Sequence, residues 1–209
     1  MSTFTWEQLL EKFEAVEFPQ RNGKQDELPQ VSSFVEACME MAKFFNILGR
    51  AFSFVQSDIL SKAKIVESYG EKFRPEKGSL QEIIEAELAN GTCSVNQPPS
   101  CSRTVLRLLW ATHFLHVLVQ KLTKDETTPL RSCIREAYDI ALKDHHSWAI
   151  QKAVHAALVF LPSREFFYKK IGVDTSKRDS YMKRGDAALG TIVTRMYRFY
   201  ERNELLQLP

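Results

Sequence analysis

Residues 103–121 read RTVLRLLWATHFLHVLVQK, apolar on nearly every face of a helix except at the start, where Arg103 and Arg107 stand four apart. A helix that is hydrophobic all round belongs in an interior, so the remainder of the chain has to wrap around this one. Residues four apart share a face, and two guanidinium groups therefore project together from the head of a buried helix. They also meet the positive end of the helix dipole, an unfavourable arrangement unless an anion answers it. That anion is either a structural carboxylate of the chain or a bound ligand, and spacing alone leaves both open.

The flanking sequence supplies more helices. Thr5 with Gln8 makes a weak capping box before Trp6, Leu9, Leu10, Phe13 and Val16. After a loop carrying Pro19, Asn22 and Gly23, Ser33 with Glu36 opens a second helix that Gly49 stops. The next stretch sets Phe54, Val55, Ile59, Ala63 and Val66 on one face, with Gly70 as its stop and a charged loop over 71–78. Ser79 with Glu82 caps a short helix ending at Asn90-Gly91, and Ser100 or Ser102 caps the central helix. Pro129 starts a helix with Ile134, Tyr138 and Ala141 on one stripe. After His145 and His146 an apolar helix runs to Pro162, Ser163 caps a short segment, and residues 176–205 form a long amphipathic helix. No segment alternates as a strand. The expected fold is all-α, one domain over residues 1–209, with about eight helices.

Several function classes drop out. A net charge of +2 is too small to draw nucleic acid. There is no GxSxG elbow, no GxxxxGK[ST] and no GxGxxG, and the chain has only 8 glycines. Cys38, Cys93, Cys101 and Cys133 show no CxxC spacing and read as free buried thiols. His113 and His116 could in principle bind zinc with His145 or His146, but without HExxH they read better as polar tips on a packed helix, so neither metal nor cofactor is expected. The N-terminus lacks a basic region followed by an apolar run, and no stretch of roughly 18 uncharged residues exists, so the expectation is a soluble, cytosolic protein. The 14 phenylalanines suit either a chain that encloses something apolar or a core packed with aromatic rings.

Asp58 and Lys62, four apart, read on spacing alone as an ordinary surface ion pair. Taken together, however, Asp58-x-x-x-Lys62, Arg103-x-x-x-Arg107 and His146-Ser147-Trp148 resemble, in that order, the sphingolipid headgroup site of the glycolipid transfer protein superfamily. FSFVQSDILSK, CSRTVLRL, LPSREFF and the final LLQLP are similar to the branch whose ligand is ceramide-1-phosphate, and the likeness runs from about residue 30 onward. The resemblance implies a two-layer helical sandwich that takes up one sphingolipid. Asp58 would accept from the sphingoid amide and hydroxyl, His146 would donate to the acyl carbonyl, and Lys62, Arg103 and Arg107 would hold the phosphate. In the glycolipid branch asparagine stands at the place of Lys62 and the sugar-stacking tryptophan at the place of Arg107; Trp110, one turn on, is a different residue.

The implied function is non-enzymatic transfer of ceramide-1-phosphate between membranes. Candidates for the apolar lining are Phe44, Phe45, Phe52, Phe54, Leu108, Phe114, Val154 and Leu158, each of which could equally be ordinary core. Trp148, with seven Lys/Arg against three Asp/Glu over residues 164–184, is the candidate membrane contact, its alternative being a packed tryptophan. A monomer that touches membranes transiently is expected. Two other readings are a non-transferring sensor of a phosphosphingolipid and a carrier of another anionic sphingolipid.

Overall fold

A computed structural model of the chain describes residues 4–73 and 78–209. Among these residues there are nine α-helices: α1 (Trp6–Glu14), α2 (Val31–Ile47), α3 (Ser53–Phe73), α4 (Leu80–Ala89), α5 (Cys101–Lys124), α6 (Leu130–Ala141), α7 (Trp148–Ala157), α8 (Arg164–Lys170) and α9 (Arg178–Arg202). The all-α expectation holds with one small addition. Strands β1 (Gln20–Arg21) and β2 (Lys24–Gln25) pair antiparallel around Asn22 and Gly23, whose φ of 51° and 75° suit a tight hairpin turn.

Helix α5 is the hub. Sixteen of its 24 residues are buried, as its all-round apolarity requires. It packs against α9 and α6 in one group of helices and against α3, which pairs with α2, in the other; α1 bridges α2 to α9. The buried hydroxyls of Thr104 and Thr112 donate to the carbonyls of Ser100 and Leu108 four residues back, at 2.7 and 2.8 Å.

The head of α5 is capped twice. Ser100 Oγ accepts from the Arg103 amide at 3.2 Å and donates to the Cys93 carbonyl at 2.5 Å. The buried Glu87 carboxylate, from α4, accepts from the amides of Cys101 and Ser102 at 2.7 and 2.8 Å and from the Ser102 hydroxyl at 2.5 Å. A negative group thus answers the helix dipole at the amides, which leaves the two arginine side chains to find other partners.

Three expectations need correction. Ser33 is not a cap: α2 starts at Val31, and Ser33 Oγ instead accepts from the Glu17 amide and donates to the Gln30 carbonyl. Glu36 pairs with Lys12 of α1. Gly70 does not end α3, which runs on to Phe73; it is buried where α3 crosses α2, and a Cβ there would sit 2.7 Å from Val31 Cγ1. Of the expected charged loop, residues 71–73 are helical and 74–77 lie outside the described residues. The Thr5 cap, the Ser79/Glu82 capping box and the Ser163 cap form as expected. All four cysteines are free and buried.

Candidate functional site

Helix α3 projects Asp58 and Lys62 from the face next to its buried stripe of Ile59, Ala63 and Val66. They form the i,i+4 ion pair that spacing suggests, with Asp58 exposed and Lys62 half-buried. They do not stand alone on a surface, because both line a cavity of about 660 Å³ between α3, α5 and the α6–α7 connection. Arg107, Leu108, Trp110 and Ala111 of α5 form a second wall, and Leu142, His145, His146 and Ile150 a third. The final segment, Leu206 to Pro209, lines a further side.

Arg103 and Arg107 converge. Both donate to the main-chain oxygen of Pro209, Arg103 through Nε and Arg107 through Nη2, the latter at 2.5 Å. Arg103 Nη1 also donates to the Asn96 side-chain oxygen at 2.5 Å, and Arg107 Nη1 to the Arg103 carbonyl at 2.9 Å. Among the described residues neither guanidinium pairs with an Asp or Glu side chain. Burial, followed by the neighbouring Arg103, lowers the pKa of Arg107, with Asp58 pulling the other way. An arginine stays charged under such a shift, so the site holds a partly desolvated cation whose guanidinium makes no hydrogen bond to an Asp or Glu side chain among the described residues.

His146 faces this cluster. Its main-chain amide donates to Lys143 at 3.1 Å and its carbonyl accepts from Gln151 Nε2 at 2.9 Å, while its ring Nδ1 lies 3.1 Å from the Tyr138 hydroxyl. Burial lowers its pKa below the ordinary 6.5, opposed by Asp58 and reinforced by His145 and Lys62. The ring is therefore neutral near pH 7. His145 stacks flat on Trp110, ring centroids 3.7 Å apart, which covers one face of that indole, and the Arg107 guanidinium carbon lies 5.6 Å from the Trp110 ring centre.

The proposed lining divides. Phe45, Phe54 and Leu108 reach the cavity wall. Phe114 stacks behind Phe45 at 5.8 Å, and Phe44 sits in an aromatic cluster with Phe4, Trp6, Phe45 and Phe167. Phe52, Val154 and Leu158 are buried elsewhere in the core. Trp148 is not packed: it is 73% exposed, with Lys152 Nζ 5.6 Å from its ring centre, and Phe54 and Ile150 at the cavity are 45% and 41% exposed. His113 and His116 contact Tyr197 and Asp186 as polar tips on α5. Among the described residues no helix is long and apolar enough to cross a membrane.

The sequence model of the glycolipid transfer protein family matches residues 29–173. The chain belongs to the glycolipid transfer protein family. A ceramide-1-phosphate transfer protein from Xenopus tropicalis is 31% identical to it over 189 residues, 86% of each chain. The one from Homo sapiens is 30% identical over 190 residues, 84% of this chain and 86% of that one. Human ceramide-1-phosphate transfer protein, solved in complex with 12:0 ceramide-1-phosphate, shares the fold with a TM-score of 0.86 at 24% identity over 100% of both chains. The mouse protein in its apo form matches with a TM-score of 0.86 at 25% identity, over 99% of this chain and 100% of that one.

Parts of the site escaped sequence reasoning in this family member. His145 and Tyr138 carry no motif, and the final LLQLP resembles the family without any assigned role; only the fold brings these three to the cluster. One signal was available for Tyr138: it stands eight residues before His146 on the predicted buried stripe, with a polar hydroxyl that needs a partner.

Proposed function

We propose that this protein is a non-enzymatic carrier that takes one ceramide-1-phosphate from a membrane and delivers it to another. The observation that carries the reading is the convergence of Arg103 and Arg107 on one oxygen beside Lys62 and Asp58, at the mouth of a partly apolar cavity. A phosphate oxygen takes the place of the Pro209 oxygen. Three cations less one carboxylate leave about +2, which a phosphomonoester of about −1.5 to −2 neutralises. Arginine offers planar forks to phosphate oxygens and lysine a point charge. A neutral sugar would leave these cations desolvated without a counter-charge, so the same residues disfavour glycolipids. The names of the curated relatives support the same ligand.

Asp58, exposed at the mouth, accepts from the sphingoid amide and hydroxyl, and His146 donates to the acyl carbonyl. The cavity lies within the range of about 300–1,000 Å³ usual for small-molecule sites. Long chains continue past its present wall, between Phe45 and Phe114, and Phe44, Phe52, Val154 and Leu158 meet them only as the helices part. Burying a methylene is worth about 0.8 kcal/mol, so a chain of roughly 15 is held in a bilayer by about 12 kcal/mol, and an apolar protein interior removes that barrier without breaking a bond. The exposed Trp148, Phe54 and Ile150 beside the mouth, with the basic 164–184 segment, suit transient docking on an anionic membrane surface.

Fluorescence-detected transfer of labelled ceramide-1-phosphate and, separately, glucosylceramide between vesicles tests the reading. Fast transfer of the phosphate lipid alone is expected. Tight binding without transfer would replace the carrier with a sensor, and transfer of the glucosyl lipid would refute the role given to the cations.

A further inference from the structure

We propose that Tyr138 is a positioning residue for the lipid: its hydroxyl donates to Nδ1 of His146 and so holds the imidazole in the tautomer whose Nε2–H can donate to an acyl carbonyl. The inference rests on the headgroup reading above and adds to it a residue that never touches the ligand.

A neutral imidazole has one donor and one acceptor nitrogen, and the partner of one nitrogen decides the role of the other. In the wrong tautomer His146 would present a bare nitrogen to the carbonyl oxygen, two acceptors face to face. The burial that lowers the His146 pKa keeps the ring neutral, so the choice of tautomer matters here. Tyr138 is 2% exposed on α6, and the 3.1 Å contact with Nδ1 is the one hydrogen bond its hydroxyl makes among the described residues. If the hydroxyl accepted from Nδ1–H, its own proton would be buried without an acceptor. When it donates, that proton is satisfied and the basic imidazole nitrogen is used as the acceptor. Burial also raises the phenol pKa, so the proton is retained.

The geometry completes the device. The His146 main chain is pinned through its amide to Lys143 and through its carbonyl to Gln151, and Tyr138 fixes the ring. Nε2 is then the nitrogen left without a protein partner among the described residues, on a side chain that shares the cavity with Asp58 and Lys62. A tyrosine eight positions upstream, on α6, thus converts a ring that could point or protonate either way into a directed donor.

The test combines long-range 15N–1H NMR of the histidine rings in the lipid-free protein with equilibrium binding of short-chain ceramide-1-phosphate. Wild-type protein should give the His146 pattern of the Nε2–H tautomer. Tyr138→Phe, which keeps the aromatic packing and whose folding is checked by its melting curve, should shift that pattern toward a mixture and weaken binding about fivefold, the loss of one modest hydrogen bond. In a His146→Ala background the same change should have no further effect on binding. An Nε2–H tautomer that persists in Tyr138→Phe, a tautomer shift without loss of affinity, or an equal loss in the His146→Ala background would each overturn the inference while leaving the headgroup reading intact. Full affinity in His146→Ala alone would instead refute the role of His146, and the inference with it.

Discussion

At the scale of single residues, apolar side chains near the site do different work according to what they touch. Phe44 is fully buried among Phe4, Trp6, Phe45 and Phe167, so Phe44→Ala should cost about 3–5 kcal/mol in urea unfolding, as a core cavity does. Trp148 is exposed, and Trp148→Ala should leave stability and equilibrium binding of soluble short-chain ligand unchanged while slowing vesicle transfer on the order of tenfold. A loss of fold or of soluble-ligand binding in that variant would argue against a membrane role. Glu87 is a residue no motif announces. Its carboxylate accepts three hydrogen bonds at the head of α5, and Glu87→Gln, with one acceptor oxygen replaced by a donor, should destabilise by about 1–3 kcal/mol, measured by thermal melting.

At the scale of elements, α5 was legible because its apolarity on all faces admits only a central position, and the caps at Thr5, Ser79 and Ser163 were legible because they are local. The errors fell where a distant contact overrode a local signal. Ser33 has the spacing of a cap, but its hydroxyl is taken by the Glu17 amide from the preceding segment. Gly70 has the look of a stop, yet it is the notch through which α3 approaches Val31. Gly70→Ala gains helix propensity of about 1 kcal/mol but drives a methyl into the stiff, β-branched Val31, and overpacking of about 1–3 kcal/mol should prevail. A melting temperature equal to or above that of the wild type would show that α2 and α3 can yield there. That Asp58, Lys62, Arg107 and His146 share one cavity was legible through their order along the chain, whereas the approach of residues 206–209 to both arginines depends on α9 returning along α5, which no local pattern encodes.

At the scale of the whole molecule, the site joins a stable scaffold to a frustrated cluster of charge. Burial lowers the pKa of His113, His145 and His146 from 6.5, so as pH falls below about 6.5 the unfolded chain takes up protons that the folded chain resists. Stability should therefore decline from pH 7 toward pH 5, and a melting temperature that rises over that interval would contradict these environments. The most direct measurement is vesicle-to-vesicle transfer of labelled ceramide-1-phosphate by wild-type protein and Arg107→Leu side by side. Loss of a partly buried charge partner for the phosphate predicts at least about a hundredfold slower transfer by the variant, with the fold retained. Equal rates would mean that the paired guanidinium groups at the head of α5 do not hold the lipid.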